Sequence, residues 1–475
     1  MSESHEENDL LEIKEEKETE EENERTEPKS RFPVMLLLLM SLLFIPIFNF
    51  FSYLPALPNV HNYFSTNWNI AMLTVSLYQI VIGFSPLIIG PSSDFFGRRK
   101  VIITCSFCYL LLSLLCLLST DIKLFIIGRV IQGFFICGEI SVIYASVSEI
   151  LPPEKVGLGL SALSFSITCT ILISPTIGGS LVNSFTWKGL FISYLILGSY
   201  SIIISFFFYK ETNKTKRKYE LKKLVSSWLY PLKFYFKKRI CIIIIIEGFS
   251  VGLINFQIVI VPLIVDKYYH YSETVMGLSL IPNGLGGLIG AFFCGPLIDY
   301  FYKKYNTVGS RLIVGFVGII GFGITFFFFG FSLLRSFYGF LVCELILNFF
   351  IIFIINATVS FLFDIYPSKT SSLYAIIILT ESIFSMITSQ LSISALDAPF
   401  KWFIIGSLIQ LLIISPASFI ILKKNWGKKR EEQEEQDENE LLNLTNIDDG
   451  ITNENKNNNN EDEDEIKKNK EIVEN

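Results

Sequence analysis

The sequence predicts an all-α membrane protein: twelve transmembrane helices in two pseudo-symmetric six-helix bundles. Three observations predict it. Of 475 residues, 51% are hydrophobic and 15% aromatic, with 44 Phe and mean hydropathy +0.48, more apolar surface than one soluble core hides. Many apolar runs exceed the roughly 18 residues that mark a bilayer-crossing helix. Finally, a charged turn, Gly90-Pro91-Ser92-Ser93-Asp94 running on to Gly97-Arg98-Arg99-Lys100, is echoed 205 residues later by Gly295-Pro296-Leu297-Ile298-Asp299. One Gly-Pro-x-x-Asp turn per half points to two homologous helix bundles, the construction of many secondary transporters.

The predicted spans lie at about 33–54, 69–89, 101–119, 123–148, 157–181, 188–209, 240–265, 274–298, 311–333, 336–363, 371–394 and 400–422. The net charge of −6 hides a division. Residues 1–31 carry 5 basic and 13 acidic side chains, residues 423–475 carry 9 and 17, and the core 32–422 is net +10. Five segments follow: a disordered acidic tail (1–31), an N-terminal six-helix bundle (32–209), a basic linker (210–239), a C-terminal six-helix bundle (240–422) and a second disordered acidic tail (423–475). The first apolar run follows a polar acidic stretch and reads as a retained signal anchor.

Lys and Arg crowd the even-numbered loops: Arg98, Arg99 and Lys100; Lys303, Lys304 and Arg311; Lys423, Lys424 and Lys428; and above all the linker, whose only acids are Glu211 and Glu220. The odd-numbered loops are nearly neutral, so both termini and the linker are expected in the cytoplasm; the default location for this multi-pass protein is the plasma membrane, with a vacuolar or spore-related membrane as the alternative. Trp228, Leu229, Tyr230 and Leu232 among the linker lysines predict an amphipathic interfacial stretch. All eight cysteines fall in apolar runs, which implies no disulfide framework. The sequence has no Walker loop, metal-ligand cluster or hydrolase elbow. That argues against an enzyme and against ATP-driven pumping.

Gly90, Asp94, Gly97, Arg98, Arg99 and Lys100 meet the pattern Gly-x-x-x-Asp-x-x-Gly-Arg-Arg-Lys. Tyr53-Leu-Pro55-Ala-Leu-Pro58, Tyr78-Gln79, Arg129-Val-Ile-Gln132-Gly133, Ser174-Pro175-Thr-Ile-Gly178-Gly179 and Leu362-Phe-Asp364-Ile-Tyr-Pro367 follow at the corresponding places along the chain. Over all twelve spans the chain resembles the major facilitator superfamily, and within it the fungal twelve-spanner drug:proton antiporter family. Where the antiporter motif of that family has glycines, this chain has Thr170 and Ser174.

The resemblance implies that the charged turn, with Asp299 as its echo, is a latch stabilising an outward-open arrangement. Physically, Gly90 permits close helix approach, and Asp94 is an anion able to pair with an arginine or a helix N-terminus. Arg129 lies inside a span, where an unpaired charge costs roughly 2.5–3.5 kcal/mol or more, so it should face the bundle interior, with Gln132 on the same face. By resemblance, Arg129 takes part in proton coupling or substrate orientation. Glu139, Glu247, Glu344 and Glu381 are carboxylates in spans; each must be paired or neutralised by a proton, and such a group can carry a proton through a transport cycle. Glu149 and Asp364, at span ends, read as partners for arginines. Ser174, Pro175, Gly178 and Gly179 bend and thin the fifth span. Tyr53, Gln79, Asn255 and Asn283, together with Asn49, Gln257 and Asn348, are polar residues in apolar spans and candidates for a central cavity.

The expected function is therefore a proton-coupled antiporter that exports small drug-like organic molecules by alternating access. It needs no cofactor beyond a proton gradient. Its expected partners are a small organic substrate, protons and the lipid bilayer, with no nucleic acid, and it is expected to act as a monomer. Two alternatives stand beside it: a dedicated exporter of a metabolite such as an organic acid, amino acid derivative or polyamine, and a non-transporting nutrient sensor.

Overall fold

The computed structural model describes residues 31–151, 153–212, 221–366 and 370–425. The bulk of both acidic tails and linker residues 213–220 lie outside them. The described residues are all-helical. The first half holds α1 (Arg31–Phe51), α2 (Leu57–Phe64), α3 (Trp68–Phe96), α4 (Arg98–Leu118), α5 (Ile122–Ile150) and α6 (Pro153–Phe207). The linker forms α7 (Leu221–Leu229) and a 3-10 stretch, Tyr230–Phe236. The second half holds α8 (Lys238–Ile264), α9 (Glu273–Leu278), α10 (Ile281–Tyr305), α11 (Leu312–Ser332), α12 (Phe337–Ile365), α13 (Thr370–Ala395), α14 (Pro399–Ile409) and α15 (Ser415–Asn425), the last two joined by a π turn.

Eleven stretches among the described residues are long and apolar enough to cross a membrane, against twelve expected spans. The difference is α6. Its apolar part, 159–207, runs 49 residues, which at 1.5 Å per residue is about 74 Å, over twice the hydrocarbon thickness. The helix is broken at Phe185 (φ −133°) and Thr186 (φ 62°). The Trp187 N–H after the break is met by Asn59 Oδ1 at 3.1 Å.

The structure corrects the reading of Gly90–Lys100 as a turn. Residues 90–96 continue α3 and 98–100 open α4, so the turn is Gly97 alone, with φ +93°. The polar residues do not end the helix because their groups find partners along it: Ser92 and Ser93 hydroxyls donate to the Ile88 and Gly90 carbonyls at 2.5 and 2.6 Å. Asp94 meets Arg98 across the junction at 2.5 Å.

The longest contacts between the two halves among the described residues are α3 with α13 and α6 with α9 and with α10, and small residues lie in each. A Cβ on Gly83 would lie 2.9 Å from Leu379 Cα; one on Gly277 would lie 2.2 Å from the Pro175 carbonyl oxygen, and one on Gly284 2.8 Å from Leu172 Cα. Where lipid offers no hydrophobic drive between helices, such contacts supply close van der Waals packing. α8 is the most enclosed span, 89% buried over its apolar window. The linker is pinned to the second half. Tyr235 OH lies 2.6 Å from Thr380 Oγ1, and Lys237 Nζ donates to Tyr366 OH at 3.2 Å.

Candidate functional site

In the first half the site is built around Arg129, which α5 places in the bundle interior at 1% exposure. Its Nη1 donates to Asn49 Oδ1 of α1 and to Gln132 Oε1 at 2.9 Å; Nη2 donates to the Asn49 carbonyl at 3.1 Å. Gln132 donates on to Ser113 Oγ at 2.6 Å, and Asn49 to Tyr109 OH at 2.9 Å. Tyr53 and Tyr78 present ring faces 4.2 and 4.5 Å from the guanidinium carbon. No described carboxylate pairs with it, and its Nε has no acceptor. The charge is thus held by oxygen dipoles and aromatic quadrupoles rather than by an anion.

The second half has a buried cluster built around a carboxyl group. Glu344 of α12, at 0% exposure, accepts from Gln257 Nε2 of α8 at 2.8 Å and from Asn283 Nδ2 of α10. Asn348 donates to Asn283 Oδ1 and to the Glu344 carbonyl at 3.1 Å. Glu344 Oε2 and Gln257 Oε1 remain without partners.

Between the halves runs a line of amide and hydroxyl contacts. Gln79 donates to Asn255 Oδ1 at 3.1 Å and accepts from Ser389 Oγ at 2.5 Å; Ser76 donates to Gln390 Oε1 at 3.1 Å, and Gln390 to the Asn69 carbonyl at 3.2 Å. Gln79 and Asn255, expected to line a cavity, here join the halves at the end away from the linker.

The other carboxylates differ in surroundings. Glu139 is fully buried, accepts from Ser106 Oγ at 2.8 Å and faces α4 and the second segment of α6, within its own half. Glu247 of α8 is at 0% exposure and neither oxygen has a partner. Glu381 of α13 is half-buried, within electrostatic reach of Glu247.

At the linker end, Arg98 binds Asp94 at 2.5 Å and Glu149 at 2.8 Å, and reaches Ser93 Oγ. Glu211, in the first residues of the linker, accepts from the Arg98 and Arg99 backbone N–H groups at 2.8 and 3.2 Å, which caps α4 where the helix dipole favours an anion. Arg99 donates to the Ser205 and Phe206 carbonyls, and Lys100 is exposed. Gly90 abuts Ser141. Asp299 departs from the expected echo: it is exposed and makes no described ion pair. At the linker end of the second half the described ion pair is Arg311–Asp364, 2.6 Å.

The bend motif packs as small residues should. A Cβ on Gly178 would lie 2.1 Å from the Ser52 carbonyl oxygen, and one on Gly179 2.2 Å from that of Glu273 in the other half. Pro175 presents its carbonyl to Gly277, and buried Ser174 leaves its hydroxyl without an acceptor. Sequence reasoning missed Glu211 as a cap, Tyr109 and Ser113 behind Arg129, and the Ser389–Gln390 pair. A lone acid in a basic loop, and adjacent polar residues in an apolar span, were the available signals.

The family model of the Major Facilitator Superfamily matches residues 39–422. The chain is 25% identical over 288 residues to the MFS antiporter QDR2 of Candida albicans, covering 54% of this chain and 57% of that protein. It is 25% identical over 266 residues to the major facilitator superfamily multidrug transporter FLU1 of the same yeast, covering 50% and 43%. The chain spans about half the length of the curated relatives it matches. Among solved structures it is similar in fold to a bacterial homologue of the human lysosomal transporter Spinster in an inward-facing, unoccupied conformation: TM-score 0.63, 12% identity, 84% of this chain and 98% of that one. It is also similar to a peptide transporter POT in complex with sulfate: TM-score 0.68, 11% identity, 82% and 94%.

Proposed function

The chain belongs to the Major Facilitator Superfamily, and we propose that it is a secondary active transporter that exchanges protons for small organic molecules by alternating access. The relatives reported above carry transporter names, not enzyme names. In this reading α6 counts as two spans, divided at Phe185–Thr186, which makes twelve helices in two halves, 32–209 and 240–422. The basic linker end faces the cytoplasm and the protein sits in the plasma membrane. α7 and the 3-10 stretch lie at the lipid interface, with Leu229 57% and Phe236 82% exposed. A drug-like substrate follows the name of the multidrug transporter FLU1, and exchange that of the antiporter QDR2; export is part of the proposal.

The observation that carries the reading is the set of carboxylate oxygens buried among spans without a partner: Glu139 Oε2, both oxygens of Glu247, and Glu344 Oε2. Bare anions there are costly, so a proton is the natural companion, and its gain or loss shifts the balance between arrangements by differential affinity. The halves are joined at the end away from the linker by the Gln79, Asn255, Ser389 and Gln390 contacts, which supports a state closed on that side. Arg98 with Asp94 and Glu149, paired within the first half, is the cluster we read as that half's side of the latch at the other end.

The test is flux in proteoliposomes holding the purified chain, across organic cations, weak acids and polyamines, with and without an imposed proton gradient. Gradient-driven movement of at least one class is expected. Absence of flux for all classes, or flux indifferent to collapse of the gradient, refutes the proposal.

A further inference from the structure

The last span lies tight against α11 at one end and stands off from it at the other. At the end away from the linker, a Cβ on Gly406 of α14 would fall 2.8 Å from Phe326 Cε1, and one on Gly330 of α11 2.9 Å from Phe403 Cγ. The π turn Gln410–Ile414 then takes up an extra residue and re-aims the chain; Gln410 is tied to α8 by donating to Ser250 Oγ at 3.0 Å. Beyond the turn the facing residues are large. Phe316 of α11 and Phe419 of α15 have ring centroids 5.7 Å apart. A crevice of about 350 Å³ opens there, with Ile243 of α8 and Ile354 of α12 behind it and Leu312, Phe316, Ser418 and Ile421 at its rim. The back wall is buried and the rim half-buried. From Leu312 to Ile319 it follows α11 for about 10 Å, less than the depth of one leaflet in a hydrocarbon core of about 30 Å.

The crevice faces lipid. α11 and α15 pack against elements of their own half, and the apolar side chains beside the rim, Val317, Phe419 and Ile420, are exposed. Its mouth is basic. Arg239 lies one turn before Ile243 on α8, Arg311 directly precedes Leu312 of α11, and Lys423 follows Ile421 by two residues on α15. α15 contacts both α8 and the 3-10 turn Val308–Arg311, so these three linker ends converge. The one described acid at the linker ends of α8, α11, α12 and α15 is Asp364, which Arg311 holds at 2.6 Å. Lys423 is exposed and Arg239 half-buried.

We propose that this crevice binds a membrane phospholipid with an anionic headgroup: one acyl chain lies between α11 and α15, and the headgroup meets Arg239 and Lys423. Two demands select that ligand. A gap walled by Ile, Leu and Phe forfeits dispersion contacts unless a chain fills it. Three cations against one acid leave positive charge at headgroup level, which an anionic headgroup neutralises through charge-assisted hydrogen bonds. A zwitterionic lipid fills the gap and leaves the charge; a free phosphate meets the charge and leaves the gap. The leaflet that the linker end faces in the topology proposed above is the one rich in anionic lipid. The site lies on the outer side of the second half, away from the contact between the halves, so it stands independently of proton exchange.

The purified full chain in detergent is given an equal mixture of phosphatidylserine and phosphatidylcholine with identical acyl chains, and the lipid retained per chain is read by native mass spectrometry. One phosphatidylserine is expected to be retained with at least tenfold preference. The double variant Arg239→Gln, Lys423→Gln is expected to lose that preference and still take up lipid. Ser418→Phe fills the crevice and should lower retention of both lipids at least fivefold. Lys303→Gln removes an exposed lysine at the same end of α10 and should change neither. Equal retention of the two lipids by the unmodified chain, a preference that survives the double variant, or its equal loss in Lys303→Gln overturns the site. So does protection against thermal unfolding by glycerophosphoserine, which lacks the chains, equal to that by phosphatidylserine. Should Ser418→Phe fail to elute as a monodisperse species, the charge variants and the headgroup alone still decide.

Discussion

Replacing Gly179 by Ala perturbs the contact between the halves most directly. A Cβ there falls 2.2 Å from the Glu273 carbonyl oxygen and 2.9 Å from its carbon, against the about 3.5 Å at which heavy atoms rest. The obstacle is main chain, so no rotamer change relieves it, and α6 and α9 must part by about 1 Å. Overpacking of this kind costs about 1–3 kcal/mol. The cost arises only in the arrangement where α6 and α9 meet. The helix-propensity gain from Gly to Ala, about 1 kcal/mol, applies in every arrangement and cancels. The balance should therefore move about 5- to 150-fold away from the arrangement closed at this end. Gly287→Ala on α10 is the matched control, since a Cβ there meets no atom within 4 Å. The assay is electron–electron spin distance measurement between labels on exposed Asn62 and Ser394, with the native cysteines replaced. Gly179→Ala is expected to lengthen the distances and Gly287→Ala to leave them unchanged. A Gly179→Ala distribution that matches the parent refutes the argument.

Glu211→Ala removes the carboxylate that caps α4 and is expected to cost about 0.5–2 kcal/mol, read as a lower midpoint in thermal unfolding of the detergent-solubilised protein. Gly97→Ala meets both a φ of +93° and Glu211 Oε2 at 2.6 Å, so it should destabilise by about 1–3 kcal/mol; a neutral effect in the same assay contradicts the assigned backbone. Arg129→Lys keeps the charge but cannot hold Asn49 and Gln132 in one fork, so it should lose about 1.5–3 kcal/mol of stability, and a midpoint equal to the parent's counts against the assigned hydrogen bonds. Glu149→Gln weakens an ion pair whose arginine is 7% and glutamate 26% exposed; a loss of about 1–3 kcal/mol is expected, below the value for a fully buried pair because solvent screens the glutamate.

Residue chemistry along the chain determined the membrane character and the helical class, because lipid solvation acts on composition and charge within one span at a time. It also singled out Arg129 and the four span carboxylates, since an ionisable group in an apolar run is costly wherever it ends up. Only the tertiary structure decided their company. Nothing along the chain says that Asn49, 80 residues from Arg129, would accept from it, that Glu344 would gain two amide donors, or that Glu247 would be left with none. The same holds for Glu211, more than a hundred residues from the helix it caps, and for Asp299, which shares the motif of Asp94 yet stays exposed without a described ion pair. Which helix faces meet is set by packing between distant small residues such as Gly83, Gly179 and Gly277, and that packing is a property of pairs of helices rather than of any one segment.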